Sequence, residues 1–244
     1  MSARGNRRGT PVVGCRPLTD EEAEKCIKYL REERRYGDRD ATLFIMQTKL
    51  GFRISEMLTL RVKDVWQYGK VLDRVLVPKR YMKGKQESRS ALVPESAKPV
   101  IAAYVKKLQD LGYDQNGYLF ASSRKTLVWD TPDDKSKNLT LVFPRGQKKE
   151  EKPLIDLSKM KYVLLPMSQE HCSSMFKSMA QDLEMSGHVG THSCRKMYAE
   201  KVFELSGKNL VEVQNALGHK DSSTTAAYLA YNLNQRTDDI VRQL

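Results

Sequence analysis

The chain has 244 residues, of which 30% are charged, and 42 Lys and Arg against 30 Asp and Glu give a formal net charge of +12 at pH 7. This length can bury one sizeable core, and no stretch reaches the roughly 18 uninterrupted apolar residues of a membrane span. The positive excess favours a polyanionic partner without establishing one, because many basic proteins are merely soluble.

Two further absences in the sequence narrow the class of protein. The N-terminus lacks the apolar run of a secretory signal, so we expect a cytoplasmic protein associated with the nucleoid and not with a membrane. The four cysteines show no C-x-x-C spacing, which argues against a zinc knuckle and a disulfide framework: Cys15, Cys26, Cys172 and Cys194. The sequence therefore predicts no metal site.

The first 17 residues carry four arginines among Gly, Pro and Ser without any periodicity. One interpretation is a disordered terminus, and the other is a basic arm, residues 1–17, that lies along nucleic-acid phosphates. The sequence leaves both open.

Helical periodicity begins at Thr19, where Thr19-Asp20-Glu21-Glu22 matches a capping box. Apolar spacing and terminal glycines predict five more helices, over residues 38–50, 94–111, 168–187, 192–207 and 209–217. Gly51 is the predicted stop of the first of these, so Arg53 follows where one helix ends and another begins.

Two β-rich runs, residues 71–77 and 88–93, are predicted to pair as a hairpin. The basic residues near its loop are Lys79, Arg80, Lys83, Lys85 and Arg89, which are candidates for contact with phosphates. Lys83 stands out because Gly84 permits a tight turn that directs its ammonium group along the hairpin. Residues 121–166 break the periodic pattern, apart from short strand-like runs at 139–143 and 162–165.

The C-terminal third concentrates groups that suit a phosphodiester. Tyr228 needs a base or cations beside it to act as a nucleophile, because the phenol pKa is near ~10. His192 and Arg195 lie three residues apart, on one face of a helix, and His219 lies nine residues before Tyr228. Guanidinium groups bind phosphate oxygens in a bidentate manner, and imidazole donates a hydrogen bond or transfers a proton.

These strings together resemble the tyrosine recombinase (phage integrase) family. The second box of that family matches His192-x-x-Arg195, Leu217-Gly218-His219 and Tyr228, and the first box matches residues 51–60, GFRISEMLTL. Residues 82–85, MKGK, resemble the β-turn lysine between the two boxes. The resemblance covers residues 17–231.

The resemblance implies an α+β, mainly α-helical catalytic domain over residues 18–231, with a small antiparallel β-sheet carrying the lysine hairpin and a polar insertion at about 121–166. It implies site-specific recombination of double-stranded DNA by a homo-oligomer, a tetramer on DNA, without metal, ATP or other cofactor. Tyr228 would be the nucleophile. Its partners would be Arg53, Lys83, His192, Arg195 and His219, with Glu56 orienting an arginine or a histidine and Lys79, Arg80, Lys85 and Arg89 contacting DNA.

The chain departs from the family pattern in two places. Family members usually carry a helical core-binding domain before the catalytic one, so we expect either a fragment or a short, inversion-type recombinase. Lys49-Leu50 replaces a pair of small residues in the first box and leaves Arg53 intact.

Four alternatives remain at the level of sequence. Tyr231 is a rival nucleophile, and residues 232–244 are either an intersubunit docking helix or a frayed end. A type IB topoisomerase uses similar chemistry, but that family usually has lysine where His192 stands and lacks Leu-Gly-His. The fourth alternative is not an enzyme: a DNA-binding regulator without catalytic activity.

Overall fold

The computed structural model describes residues 14–81, 87–129, 160–219, 222–226 and 229, with the backbone alone at 124–129 and 160–163. Within these ranges the fold is mainly helical with small antiparallel sheets, as the sequence predicts. No helix in the described part of the chain is long and apolar enough to cross a bilayer. The helices are α1 Asp20–Glu33, α2 Gly37–Leu50, α3 Ile54–Met57, α4 Lys98–Asp110, α5 Gln169–Asp182, α6 Thr191–Leu205 and α7 Leu210–Leu217.

Helix α1 begins with the predicted capping box. Thr19 Oγ1 accepts a hydrogen bond from the Glu22 backbone N–H at 3.1 Å, and Glu22 Oε2 accepts one from the Thr19 N–H at 3.0 Å. Two of the N–H groups that a helix start leaves unpaired are thereby satisfied. The face with Ala23, Cys26 and Leu30 is buried.

Helix α2 is the central helix of the domain. Its side chains are almost all buried, including Leu43, Phe44 and Met46, and it contacts α1, α4 and α6. The predicted stop is present, because Gly51 adopts φ of 60° and donates its N–H to the Gln47 carbonyl. Only a residue that tolerates the left-handed region ends a helix in this way without strain.

The strands form three separate two-stranded antiparallel ribbons. They are β1 Trp66–Gln67 with β2 Lys70–Val71, β3 Arg74–Val77 with β4 Arg89–Leu92, and β5 Ala121–Trp129 with β6 Met160–Pro166. The predicted hairpin is confirmed as the β3–β4 ribbon, in which Val77 pairs with Arg89. The single strand expected over 71–77 is wrong, because the chain changes partner between Val71 and Arg74, from β1 to β4.

The two ends of the predicted insertion at 121–166 form strands β5 and β6, which pair with each other. Strand β5 was not predicted, since its polar start (Ser122, Ser123, Arg124) shows no clear alternation. The strand-like run at 162–165 lies within β6, whereas the run at 139–143 lies outside the described residues.

The apolar interior has two parts. The larger joins α1 to α6 with the β1–β2 and β3–β4 ribbons, and the smaller consists of Ala199, Phe203, Val213, Leu217 and Leu229. The smaller part packs α7 and Leu229 onto the C-terminal half of α6. Leu229, next to Tyr228 in the chain, is therefore anchored beside the residues that follow Arg195 on α6.

The end of the expected N-terminal arm, residues 1–17, already packs against the domain at Arg16. Arg16 donates its backbone N–H to the His188 carbonyl at 2.9 Å, and its guanidinium pairs with Glu22 at 2.7 Å and 2.5 Å. This ion pair lowers the pKa of Glu22. Arg16 thus belongs to the domain, while residues 1–13 lie outside the described part.

Candidate active site

Arg53 lies in the short connection between α2 and α3. It is the residue before α3, with Gly51 and Phe52 behind it, and its side chain is 24% exposed. Its Nη1 donates to Glu56 Oε1 at 2.8 Å, and its backbone N–H donates to Glu56 Oε2 at 2.9 Å. The guanidinium is therefore held in one direction by a carboxylate on the next turn.

The Glu56 carboxylate is buried, with 1% of its side chain exposed. A buried carboxylate is stable only when cations or donors compensate for its lost hydration. Glu56 has two such cations, because the Arg53 guanidinium contacts Oε1 and Arg89 Nη1 lies 3.4 Å from Oε2. Glu56 is thus the link between the first sequence box and β4.

Arg89 does not lie on the exposed loop, and a contact with DNA is not supported. It is the first residue of β4 and is 6% exposed. Its guanidinium donates to three backbone carbonyls at the ends of α2 and α7: Gly51 at 3.0 Å, Leu50 at 3.1 Å and Ala216 at 2.6 Å. Its Cζ also lies 4.5 Å from the centre of the Phe52 ring.

The physical reason for this placement is the alternation of the strand. Arg89 and Ala91 point inward on β4, whereas Ser90 and Leu92 are exposed. The last carbonyls of a helix lack intrahelical donors, so a guanidinium there satisfies them and interacts favourably with the helix dipole. Arg89 braces the C-terminal ends of two helices, and the alternation in β4 is the signal by which the sequence could have revealed it.

Arg195 reaches the same point from α6. It is 1% exposed, and its Nη1 donates to the Gly51 carbonyl, the acceptor that Arg89 also uses. Its Nη2 donates to the Leu217 carbonyl at 2.8 Å. The two boxes, 144 residues apart between Gly51 and Arg195, therefore converge on one carbonyl oxygen.

His219 completes this cluster. Its Nε2 lies 3.0 Å from Arg195 Nη2, and its Nδ1 lies 3.0 Å from Thr225 Oγ1 in the helical residues 222–226. Burial, followed by the positive charges of Arg195, Arg53 and Arg89, lowers the pKa of His219 to about 4. At neutral pH the imidazole is therefore uncharged.

The cluster of Arg53, Glu56, Arg89, Arg195 and His219 has three guanidinium groups and one carboxylate. It carries a positive excess in a poorly solvated place, where an anion is attracted strongly. Among the described residues, no group of three or more His, Cys, Asp or Glu side chains comes together to hold a metal ion.

The sequence profile of the phage integrase family matches residues 16–235. The chain belongs to the phage integrase family. The comparison with curated proteins gives no match.

Solved structures of integrase-family recombinases share its fold, which confirms the tyrosine recombinase catalytic-domain fold implied by the sequence. XerA recombinase aligns with a TM-score of 0.58 and 17% identity over 87% of this chain and 59% of its own. XerH bound to palindromic difH substrate, in a post-cleavage complex, aligns with a TM-score of 0.57 and 17% identity over 93% of this chain and 52% of its own. The Tn1549 transposon integrase in complex with a circular intermediate DNA aligns with a TM-score of 0.53 and 14% identity over 89% of this chain and 62% of its own. This chain thus spans about half to three-fifths of the length of these proteins.

The remaining family positions differ in how far the structure describes them. His192 lies in the first turn of α6 and is exposed, although Arg195 on the same helix is buried. Lys79 and Arg80 form an exposed 3-10 turn directly after β3, with the Arg80 guanidinium 4.8 Å from the Tyr81 ring. Lys83, Lys85, Tyr228, Tyr231 and residues 232–244 lie outside the described residues.

Tyr198 lies at the site, and no pattern in the sequence indicated this. A Cβ added to Gly51 would lie 2.2 Å from Cδ1 of Tyr198, so this ring packs directly on the glycine. Burial raises the pKa of Tyr198. The ring covers the peptide whose carbonyl receives both Arg89 and Arg195, and so shields those hydrogen bonds from water.

Proposed function

We propose that this chain is the catalytic part of a site-specific recombinase that breaks and rejoins double-stranded DNA through a covalent 3′-phosphotyrosyl intermediate. The observation that supports it most directly is the convergence of the two sequence boxes. Arg195 contacts His219 and shares the Gly51 carbonyl with Arg89, and Arg89 shares Glu56 with Arg53. Family membership supports the same reaction. Integration, excision and inversion all use this chemistry.

The first chemical step is an in-line displacement at a DNA phosphorus atom. The Tyr228 phenolic oxygen forms a bond to phosphorus, and the bond from phosphorus to the deoxyribose 5′-oxygen breaks. His192 accepts the proton of the phenol, and Lys83 donates a proton to the departing 5′-oxygen. The phosphotyrosyl bond retains the energy of the phosphodiester, so no ATP or metal is consumed when a second 5′-hydroxyl reverses the step.

The guanidinium groups act on the charge that develops in this displacement. Arg53 and Arg195 would face the nonbridging oxygens of the pentacoordinate phosphorus, with His219 as a further hydrogen-bond donor once it is protonated at Nε2. Donors that are already oriented gain most in such a site, because no solvent has to reorganise at the moment of reaction. The contacts of Glu56 to Arg53 and of the Gly51 carbonyl to Arg195 supply that orientation.

The DNA-binding surface in this proposal includes the exposed turn after β3. Lys79 and Arg80 lie there, and Lys83 and Lys85 follow within five residues in the sequence. Binding through phosphates predicts that log affinity falls by about 0.9 per neutralised phosphate for each unit of log salt. Because its substrate is chromosomal or mobile DNA, we propose that the protein is found with the nucleoid.

Exchange of strands requires at least two cleaved sites held together, so we propose a homo-oligomer on DNA, with a tetramer as its complete form. The ends of α6 and α7 expose Leu205, Leu210 and Val211, at 87%, 41% and 60%. The C-terminal residues 232–244 contain Ile240, Val241 and Leu244, which would suit such a surface on a neighbouring copy.

The decisive experiment compares Tyr228→Phe with Tyr231→Phe on a nicked suicide substrate. The wild type and Tyr231→Phe should form a covalent protein–DNA band, and Tyr228→Phe should form none while binding the DNA with unchanged affinity. Loss of the band in Tyr231→Phe alone would assign the nucleophile to Tyr231.

Two outcomes would overturn the recombinase proposal. A covalent band with relaxation of supercoiled DNA, but without exchange between two sites, would indicate topoisomerase-like activity. DNA binding without any covalent band in the wild type, on substrates cut from the DNA flanking the gene, would indicate a regulator.

A further inference from the structure

The two ring nitrogens of His219 face different kinds of partner. Nε2 faces Arg195 Nη2 at 3.0 Å, and Nδ1 faces Thr225 Oγ1 at 3.0 Å. A guanidinium nitrogen only donates hydrogen bonds, whereas a hydroxyl both donates and accepts. The Arg195 contact therefore favours a lone pair on Nε2, which places the proton of a neutral ring on Nδ1. A buried Nδ1–H in turn needs an acceptor, and Thr225 Oγ1 supplies it.

Both partners of the ring are fixed by their surroundings. Thr225 is 1% exposed and His219 is 8% exposed, so water competes little with their hydrogen bond. Arg195 is held by the carbonyls of Gly51 and Leu217 as well as by the ring. The orientation of the imidazole is thus determined from α6 on one side and from residues 222–226 on the other.

We propose that Thr225 is a positioning residue that holds His219 in its Nδ1–H tautomer, so that any further proton is gained at Nε2, the atom beside Arg195. Thr225 Oγ1 accepts from Nδ1 in the neutral ring and in the doubly protonated ring alike. Only Nε2 changes from acceptor to donor. The atom that becomes a new donor, Nε2, therefore lies beside Arg195, the side chain that we propose to engage the anion.

Four charged groups act on this protonation: Arg195, Arg53 and Arg89 oppose it and Glu56 favours it. A bound phosphate adds negative charge and shifts the balance toward the protonated ring. Thr225 also ties this chemistry to the chain near Tyr228, because it lies three residues before Tyr228 in the sequence and Leu229 is anchored in the small apolar core. The consequence for catalysis rests on the proposed function, whereas the tautomer does not.

The tautomer is measurable without DNA or activity. The chain contains four histidines, His171, His188, His192 and His219, so long-range ¹H–¹⁵N spectra of protein labelled at histidine are simple, and His219→Gln assigns the signal. At pH 7 we expect the Nδ1–H pattern for His219 in the wild type and in Thr225→Ser, which keeps the hydroxyl. Thr225→Val has the same shape but removes the acceptor that the buried Nδ1–H uses. Because a proton on Nδ1 then loses this hydrogen bond, we expect the variant to lose that pattern.

Thr224→Val is the matched control, because Thr224 is exposed on the same helical segment and should leave the spectrum unchanged. An Nε2–H pattern in the wild type, or an Nδ1–H pattern that persists in Thr225→Val, would overturn the inference. If Thr225→Val does not fold, the wild-type and Thr225→Ser spectra still decide the tautomer.

A kinetic measurement separates this inference from the proposed function. On the nicked substrate we expect Thr225→Val to form the covalent product at least about tenfold more slowly than Thr225→Ser at equal DNA occupancy. An altered tautomer with an unchanged rate would remove the catalytic consequence and leave the structural one. Absence of covalent product in the wild type would refute the proposed function while the spectra still tested the tautomer.

Discussion

Two buried carboxylates lie near opposite ends of α2, each between two arginines. Near its N-terminus Asp40 contacts Arg39 at 2.9 Å and Arg34 at 3.6 Å, and beyond its C-terminus Glu56 contacts Arg53 at 2.8 Å and Arg89 at 3.4 Å. Exposure does not distinguish the two sites, because the outer arginines, Arg34 and Arg53, are 27% and 24% exposed. Each even has a histidine whose pKa is lowered by burial, His171 and His219.

The difference is what each site adds to this shared arrangement. Near the N-terminus, Arg39 is occupied by the Ala121 carbonyl at 2.9 Å and by the Tyr36 ring at 4.6 Å, which suits an arginine that ties elements together. Beyond the C-terminus, a third guanidinium, Arg195, enters and binds a buried histidine. A buried ion cluster by itself is therefore a structural feature. In the proposed function, the additional cation and the neutral imidazole are what suit the second cluster to a phosphate.

The largest expected effect on stability comes from Arg89→Met. This change removes the Arg89 donors from the carbonyls of Leu50 and Ala216 and from Glu56, and leaves the Gly51 carbonyl with Arg195 alone. We expect it to lower the free energy of unfolding by about 3 to 5 kcal/mol. Urea denaturation at pH 7 measures it. Arg39→Met is the matched change at the other end of α2 and should have a similar cost. A loss below about 1 kcal/mol for Arg89→Met would break the view that it braces two helices.

The next effect separates the two clusters by activity. Arg195→Lys keeps the charge but loses the planar donor set, and we expect covalent cleavage of DNA to slow by about 100 to 1,000-fold. Arg39→Lys should cleave at the wild-type rate, because it acts on the structural cluster. The rate of covalent-band formation under single-turnover conditions measures both. Equal losses in the two variants would mean that the clusters do not differ in function.

A smaller effect concerns the peptide that Arg89 and Arg195 share. Gly51→Ala places a Cβ in the left-handed conformation, which costs about 1–2 kcal/mol, and also against the Tyr198 ring. Gly207→Ala is the control, since Gly207 has φ of +67° but no atom within 4 Å of an added Cβ. Thermal and urea unfolding should show a larger loss for Gly51→Ala. Equal losses would indicate that the ring moves aside without cost.

Local patterns predicted the parts of the fold that depend on local physics. Thr19 with Glu22 gave the start of α1, and Gly51 gave the end of α2, because caps and left-handed stops involve only neighbours in the chain. The break between β2 and β3 was missed, since strand pairing depends on residues far away in the sequence. The same holds for β5.

The sequence did not reveal which side chains of the site are buried. Arg89 was grouped with Lys79 and Arg80 because all are basic and near one loop, yet it is buried and they are exposed. Thr225 gave no signal at all, because its role depends on where the ring of His219 points. The spacing of Arg53, Arg195 and His219 indicated a phosphate site, but not that a single backbone carbonyl would join its two halves.

The last effect, and the sharpest test of the histidine difference, is the pH dependence of stability. In the folded protein the pKa of His219 is lowered from 6.5 to about 4, so between these values the unfolded chain binds a proton that the folded one does not. Stability from this group is complete above pH 6.5 and falls by up to about 1.4 kcal/mol per pH unit as the pH decreases toward 4. His219→Gln should remove this part of the slope, measured as the difference between the two urea-denaturation series. His171→Gln should remove less, because His171 is exposed and solvent compensates its charge. Parallel curves for the wild type and His219→Gln across this range would show that the imidazole is solvated and would remove the distinction between the two clusters.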